Sequence, residues 1–204
     1  MSQQASSGGL ELDPGLRARI TALQDEGWAI WQRFDLERRR DHWHPFVAAD
    51  YEAVLQALLP LRGPGVRFLE WGSATGVITI MASLLGFEAF GIELDPDLVA
   101  IARGLAARFD AAARFAVGSL LPTGYEWRPR SGDGRLGTIG HGVSGYLELG
   151  HPLEDFDVVF AFPWSGEEAM MHDLMRCHGG RDARLVFYGV SDGVEVFRGG
   201  RRER

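Results

Sequence analysis

The segment from Val66 to Gly76, read Val-Arg-Phe-Leu-Glu-Trp-Gly-Ser-Ala-Thr-Gly, constrains the fold more than any other part of the chain. A mostly apolar run from Val66 to Trp71 follows the turn-forming Gly63-Pro64-Gly65 and predicts a buried strand. A small-residue loop comes next, and Val77 opens a stretch rich in Ile, Met and Leu that predicts a helix. Strand, glycine-spaced loop and helix together bring bare backbone close to a ligand. The loop amides and the positive end of the helix dipole face whatever negative or polar group sits there. Glycine at 72 and 76 permits positive φ and removes the Cβ that would hold a ligand off.

A second apolar run, Glu88 to Ile92, predicts a strand that ends on Glu93. A carboxylate at that tip is placed to accept hydrogen bonds from a ribose diol. The loop by itself is a weak signal; joined to Glu93 in one strand–helix–strand unit it carries more. Leu94-Asp95-Pro96-Asp97 then starts a helix, with Asp95 at the cap and Pro96 at its first position. Leu98, Ile101, Ala102, Leu105 and Phe109 line one face of that helix, and Ala113–Val117 predicts a third strand ending at Gly118-Ser119. This alternation specifies a parallel sheet with helices packed on it.

Before this unit, residues 1–12 read as a disordered start and residues 13–62 as helices packed on the core. Leu16, Ile20, Leu23, Ile30, Trp31 and Phe34 recur at helical spacing, and Gly27 predicts a kink or a break into two helices. Arg38-Arg39-Arg40 reads as solvent-facing charge at a helix C-terminus. His42 and His44 lie in an aromatic stretch, either a loop over the core or a substrate-facing cap. No ligand with zinc spacing accompanies them, so no metal site is predicted. Asp50 caps a short helix carrying Tyr51, Val54, Leu55, Leu58 and Leu59.

The core spans 63–204, and within it residues 119–155 lose all periodicity. With eight glycines, this stretch predicts a long loop or lid, with room for a hairpin in 136–149. Phe156–Ala161 predicts a buried strand leading into Phe162-Pro163-Trp164. Ser165 and Glu168 fit a capping box for a helix carrying Met170, Met171, Leu174 and Met175, stopped by Gly179-Gly180. The methionines read as core filler. Ala183–Tyr188 and Val194–Phe197 predict two more strands before an Arg-rich tail.

Composition narrows the function. A chain of 204 residues with 46% hydrophobic content supports one full domain with a sizeable core. A net charge of −7 argues against a general nucleic-acid binder, and all 21 basic residues are arginine. The single Cys177 and the absence of an apolar run in Met1–Gly9 predict a cytoplasmic protein without a disulfide framework or signal peptide. No stretch approaches the roughly 20 apolar residues a membrane helix needs.

The chain from Val66 to Gly189 resembles the class I S-adenosylmethionine-dependent methyltransferases, a Rossmann-like α/β family with a mostly parallel sheet and helices on both faces. The likeness is carried by Glu70-x-Gly72-x-Ala74-x-Gly76 and by Gly91–Glu93. That spacing differs from the Gly-x-Gly-x-x-Gly of nicotinamide dehydrogenases. The resemblance implies that Glu70, Trp71, Gly72, Ser73, Ala74 and Gly76 hold the methionine part of the cofactor, Glu70 through water or the amino group. It also implies Glu93 on the ribose, Leu94 against the adenine, and Gly118 and Ser119 near the adenine amino group. Phe162–Trp164 falls where the family faces the transferred methyl.

Three departures stand out. Ala74 replaces the middle glycine, a substitution expected to cost little. Ser119 stands where an acidic residue is usual. Phe162-Pro163-Trp164 lacks the Asp or Asn that orients an exocyclic amine, which disfavours nucleic-acid base methylation. Only Gly189–Arg204 follows the fifth strand, so the N-terminal helices or a partner are expected to cover that edge.

The resulting expectation is methyl transfer from S-adenosyl-L-methionine to a small molecule or a protein. Phe162 and Trp164 would line the methyl site through their ring faces. Glu167, His172, His141 and His151 are candidate bases, none of them distinguished. A non-catalytic cofactor-binding or scaffolding module is the alternative, and a nicotinamide oxidoreductase is a third reading.

Overall fold

The computed structural model describes residues 12–38, 47–126, 142–164 and 166–203. Seven strands form one sheet: β1 (Arg67–Trp71), β2 (Glu88–Glu93), β3 (Arg114–Val117), β4 (Val158–Ala161), β5 (Arg184–Gly189), β6 (Gly193–Arg198) and β7 (Arg201–Arg202). Their order is β3-β2-β1-β4-β5-β6-β7. The first five run parallel; β6 and β7 return antiparallel. Chain order reverses direction at β1, with β2 on one side and β4 on the other. The carboxyl ends of β1 and β4 therefore send their loops apart and leave a crevice at the switch point.

Helices cover both faces: α1 (Pro14–Arg38), α2 (Tyr51–Leu58), α3 (Val77–Leu84), α4 (Pro96–Arg108), α5 (Tyr146–Leu149) and α6 (Glu168–His178). Strand periodicity divides the core in two. Phe68, Ala89, Phe115, Phe160 and Val186 face α1 to α4. Leu69, Phe90, Ile92, Val159 and Leu185 face α5 and α6. Phe68, Phe90, Phe156 and Phe160 are all fully buried, each contributing at most about 3 kcal/mol. The expected α/β class, with a mostly parallel sheet between helices, is the observed one.

Local expectations fare unevenly. Asp50 caps α2 as read, its carboxylate accepting from the Glu52 and Ala53 amides at 3.0 Å. Gly27, however, does not break α1 into two helices, since α1 is continuous from Pro14 to Arg38. Glycine is required there for close approach: a Cβ would stand 2.7 Å from a Val77 methyl and 3.2 Å from the Tyr51 ring. The helix after β4 starts at Glu168, later than the capping box at Ser165 implied; Ser165 is outside the described residues. The face of β6, through Val194 and Val196, packs on the same core as α2.

The expected lid needs the largest correction. Residues 127–141, and with them His141, lie outside the described residues, as do Asp41–Phe46 with His42 and His44. The flanking parts belong to the core. Residues 146–149 form a helical turn rather than half of a hairpin, and Tyr146, Leu149 and Leu153 are buried. Glu148 accepts from the Val117 amide at 3.0 Å, and Arg103 ties Glu148 to the Phe115 carbonyl. These contacts cover the otherwise open edge of β3.

Candidate functional site

The loop after β1 is pinned to the tip of β2. The Gly72 and Ser73 amides both donate to the Ile92 carbonyl, at 2.9 and 3.0 Å. Three of its residues take positive φ: Gly72 at 69°, Ala74 at 45° and Gly76 at 77°. At Gly76 the reason is twofold, because a Cβ would also strike Phe115 and Ala102 at 2.6 and 2.8 Å. At Gly72 a Cβ would meet nothing within 4 Å, so the backbone there borders open space. Ala74 has no such exemption. A left-handed alanine costs roughly 1–2 kcal/mol, contrary to the expectation that this replacement is nearly free.

Glu93 offsets that strain. One carboxylate oxygen accepts from the Ala74 amide at 2.9 Å and the other from the Asp95 amide at 3.0 Å. The side chain is 9% exposed and lies against the loop, so the tips of β1 and β2 are clasped by a single carboxylate. Burial raises its pKa, opposed by the bonds from the Asp95, Ala74 and Leu94 amides. The carboxylate keeps spare acceptor capacity of the kind a ribose hydroxyl requires. Beside it Leu94 is 37% exposed, an apolar surface next to a polar one.

Glu70 lies deeper, at 5% exposure. Its Oε2 accepts from the Thr79 amide at 2.9 Å and from the Thr79 hydroxyl, so it satisfies the first turn of α3. Burial pushes its pKa up to about 8; the Thr79 bonds act against this, and the Glu93 carboxylate adds to the rise. Tyr51, at the start of α2, is buried within the electrostatic reach of Glu70. Its ring packs on Trp28 at 5.3 Å between centroids. Sequence reasoning assigned Tyr51 to the helix stripe of α2, and it lies buried in the core as that stripe implies.

Several expected site residues are turned elsewhere. The Trp71 side chain lies in the core against α5, where its indole donates to the Tyr146 hydroxyl at 2.7 Å. Strand alternation explains this, since Trp71 follows Glu70 and must face the other way. Ser73 is buried with its hydroxyl against Gly91, where a Cβ would stand 2.7 Å from it. Ser119 accepts from the Leu121 amide at 3.1 Å. Its backbone pairs with the covering segment: its amide donates to the Val143 carbonyl, and its carbonyl accepts from the Gly145 amide. Gly118 permits that cover, as a Cβ would lie 2.6 Å from the Val143 oxygen.

At the ends of β4 and β5, the Phe162 and Tyr188 rings meet edge to face at 4.9 Å. Trp164 is 44% exposed. Glu167, considered as a base, instead accepts from the Trp164 amide at 2.9 Å and fixes that turn. His172 is enclosed by Phe187 and Phe197, and burial lowers its pKa. His151 pairs with Asp155 at 3.1 Å and packs on Phe90, under the sheet. The strand tips therefore present a polar half at β1 and β2 and an aromatic half at β4 and β5.

The strand order, the loop and its carboxylate clasp define a methyltransferase-type α/β fold. Comparison with known proteins agrees. The chain is 30% identical over 120 residues to the ribosomal protein L11 methyltransferase of Thermus thermophilus, a match covering 56% of this chain. It spans about half of that relative's length, 46%. The chain thus has the class I methyltransferase fold. No protein-family model matches it. Among solved structures, it resembles an RNA methyltransferase from Salinibacter ruber in complex with S-adenosyl-L-homocysteine, at 21% identity and TM-score 0.44, covering 66% of this chain and 72% of that one. It also resembles a SAM-dependent methyltransferase from Thiobacillus denitrificans, likewise with S-adenosyl-L-homocysteine, at 18% identity and TM-score 0.47, covering 76% and 53%.

Proposed function

We propose that this chain binds S-adenosylmethionine and transfers its methyl group to a small molecule or a protein. The observation that carries this reading is the Glu93 clasp on the Ala74 amide beside the open backbone of Gly72. A cofactor with a ribose diol and an amino-acid tail matches what that clasp and loop offer: two acceptor oxygens, bare amides and a helix N-terminus. Glu93 would take the ribose hydroxyls and Leu94 the adenine face. The Gly72–Gly76 backbone and Glu70 would take the methionine part. When bound, S-adenosylmethionine supplies a methyl group already activated by the sulfonium. What remains for the protein is to position the acceptor and exclude water.

Phe162 and Trp164 suit that task because aromatic faces attract cationic sulfur and shed water. The acidic chain, with a formal charge of −7, favours a small-molecule or protein acceptor over nucleic acid. Among the described residues no helix is long and apolar enough to cross a membrane.

Isothermal titration with S-adenosylhomocysteine tests the first half of the reading, with NAD(H) as the control. Binding of the former and not the latter is expected; the reverse pattern defeats the proposal. Incubation with methyl-labelled cofactor and a panel including small-molecule extracts and ribosomal protein L11 tests the second half. Tight binding with no label transferred to any fraction would assign the chain to the non-catalytic alternative.

A further inference from the structure

The aromatic half of the strand tips holds one polar group that the fold does not use. Tyr188 follows Val186 by two residues at the end of β5, so both face the α1 to α4 side of the sheet, where Phe162 also packs. The Tyr188 ring meets that of Phe162 at 4.9 Å, with the planes 87° apart. The side chain is half-buried, and its hydroxyl bonds to no described residue yet is not sealed from solvent. Trp164 and Val190 follow the same two strands at 44% and 78% exposure, so both tips continue into open apolar surface.

Charge is scarce on this side. No arginine or lysine occurs from Phe156 to Met175 or from Leu185 to Phe197. His172 belongs to the opposite face, between Phe187 and Phe197. The carboxylates that follow β4 serve their own turn, Glu167 accepting from the Trp164 amide and Glu168 from the Gly166 amide at 3.0 Å. Asp192 is exposed in the turn between β5 and β6, where water reduces its hold on a cation to about 1 kcal/mol or less. Among the described residues, the β4 and β5 tips thus offer ring faces and one hydroxyl. They offer no cation for an acidic acceptor, and no buried carboxylate beyond those their turns already use.

We infer that Tyr188 joins Phe162 in lining the acceptor site, and that the acceptor is a neutral, flat phenolic small molecule with the Tyr188 hydroxyl as its hydrogen-bond partner. This rests on the cofactor reading above and narrows its acceptor to one class. An aromatic acceptor gains about 0.5–1.5 kcal/mol from ring contact beyond its area burial. A single hydroxyl in an apolar site rewards a molecule with one matching polar group and rejects the analogue without it. In the transfer, a lone pair of the phenol oxygen forms the bond to the methyl carbon as the carbon–sulfur bond breaks. S-adenosylhomocysteine leaves with that electron pair, and the phenol proton passes to water. With Glu167 engaged in its turn, the step suits a phenol, whose ordinary pKa of about 10 makes its proton easier to lose than an alcohol's.

The test uses the full chain saturated with S-adenosylhomocysteine at near-neutral pH. Calorimetry compares naphthol, naphthoate and (aminomethyl)naphthalene, three probes of one shape that are neutral, anionic and cationic. Naphthol is expected to bind about tenfold more tightly than either charged probe. Tyr188→Phe keeps the ring on Phe162 and removes one oxygen. It should weaken naphthol binding about fivefold to tenfold, the worth of one hydrogen bond, and leave S-adenosylhomocysteine affinity unchanged. Tighter binding of a charged probe, or equal naphthol affinity in the variant, overturns the inference. So does an equal loss of S-adenosylhomocysteine affinity, which marks general loosening, or transfer of labelled methyl to ribosomal protein L11. Wild-type protein that binds S-adenosylhomocysteine but none of the probes rejects this acceptor class alone. Protein that does not bind S-adenosylhomocysteine defeats the cofactor reading itself.

Discussion

The β1 and β2 tips and the β4 and β5 tips lie on one edge of the same sheet but are built from different materials. The first pair is polar and locally determined: Glu93 and the loop amides satisfy one another over short stretches of chain. The second pair is aromatic, with Phe162 held by Tyr188 and Trp164 left half open. Donor binding needs fixed directional partners, and acceptor binding needs a shape that excludes water. In the reading proposed above the polar pair is the donor half, set by backbone geometry, and the aromatic pair is the acceptor half, set by side chains. The first should therefore be brittle to substitution and the second tolerant in stability.

The largest effect is expected at the clasp. Glu93→Ala removes the acceptor for the Ala74 and Asp95 amides and, in our reading, for the ribose. Loss of charged hydrogen bonds of about 1.5–3 kcal/mol predicts a roughly 10- to 100-fold weaker affinity for S-adenosylhomocysteine by calorimetry. An unchanged affinity would dissolve the polar half of the comparison.

Glu70 provides the next effect, and its sign is fixed by its environment. Its folded pKa of about 8 stands above an ordinary value of 4.5, so the folded state retains a proton that the unfolded chain releases. Between those values folding binds more protons, and stability falls as pH rises from about 4.5 to 8; above 8 the contribution is flat. The decline is on the order of a few kcal/mol. Urea unfolding at pH 5 and pH 8.5 should show it in wild type and show it much reduced in Glu70→Gln. Glu93, also raised by burial, supplies a residual slope of the same sign. Parallel pH profiles would show that Glu70 is ionised at little cost.

Trp164 tests the aromatic half. Because it is 44% exposed, Trp164→Ala should change the urea midpoint little. A cation–π contact of about 0.5–2 kcal/mol predicts a weakening of S-adenosylmethionine affinity by roughly 2- to 30-fold, with S-adenosylhomocysteine, which lacks the sulfonium charge, unaffected. Equal affinity for both ligands before and after the change removes Trp164 from the methyl site.

The same contrast explains what could be read in advance. Glu93 and Gly72–Gly76 were legible because the clasp joins neighbouring strand tips, and its signal is a glycine spacing followed by an acidic residue. The side-chain directions of Trp71 and Ser73 were lost because a motif names positions, while strand alternation and packing on Gly91 decide where they point. Segment 142–155 was misread because Tyr146 and Leu149 belong to a single helical turn, too short for periodicity to register.

The smallest expected effect probes the loop itself. Ala74 sits at φ 45°, where its Cβ is disfavoured and glycine is not. Ala74→Gly relieves that strain while giving the unfolded chain more freedom to lose, so the two contributions oppose each other. With roughly 1–2 kcal/mol relieved and about 0.4–1 kcal/mol returned through unfolded-state entropy, a net gain of up to about 1 kcal/mol remains. For a chain of this size that raises Tm by about 2–4 °C at most. The Ala74 amide still donates to Glu93, so S-adenosylhomocysteine affinity should move less than twofold. A lower Tm would mean that the clasp holds residue 74 without strain, and that the donor half owes its rigidity to the alanine.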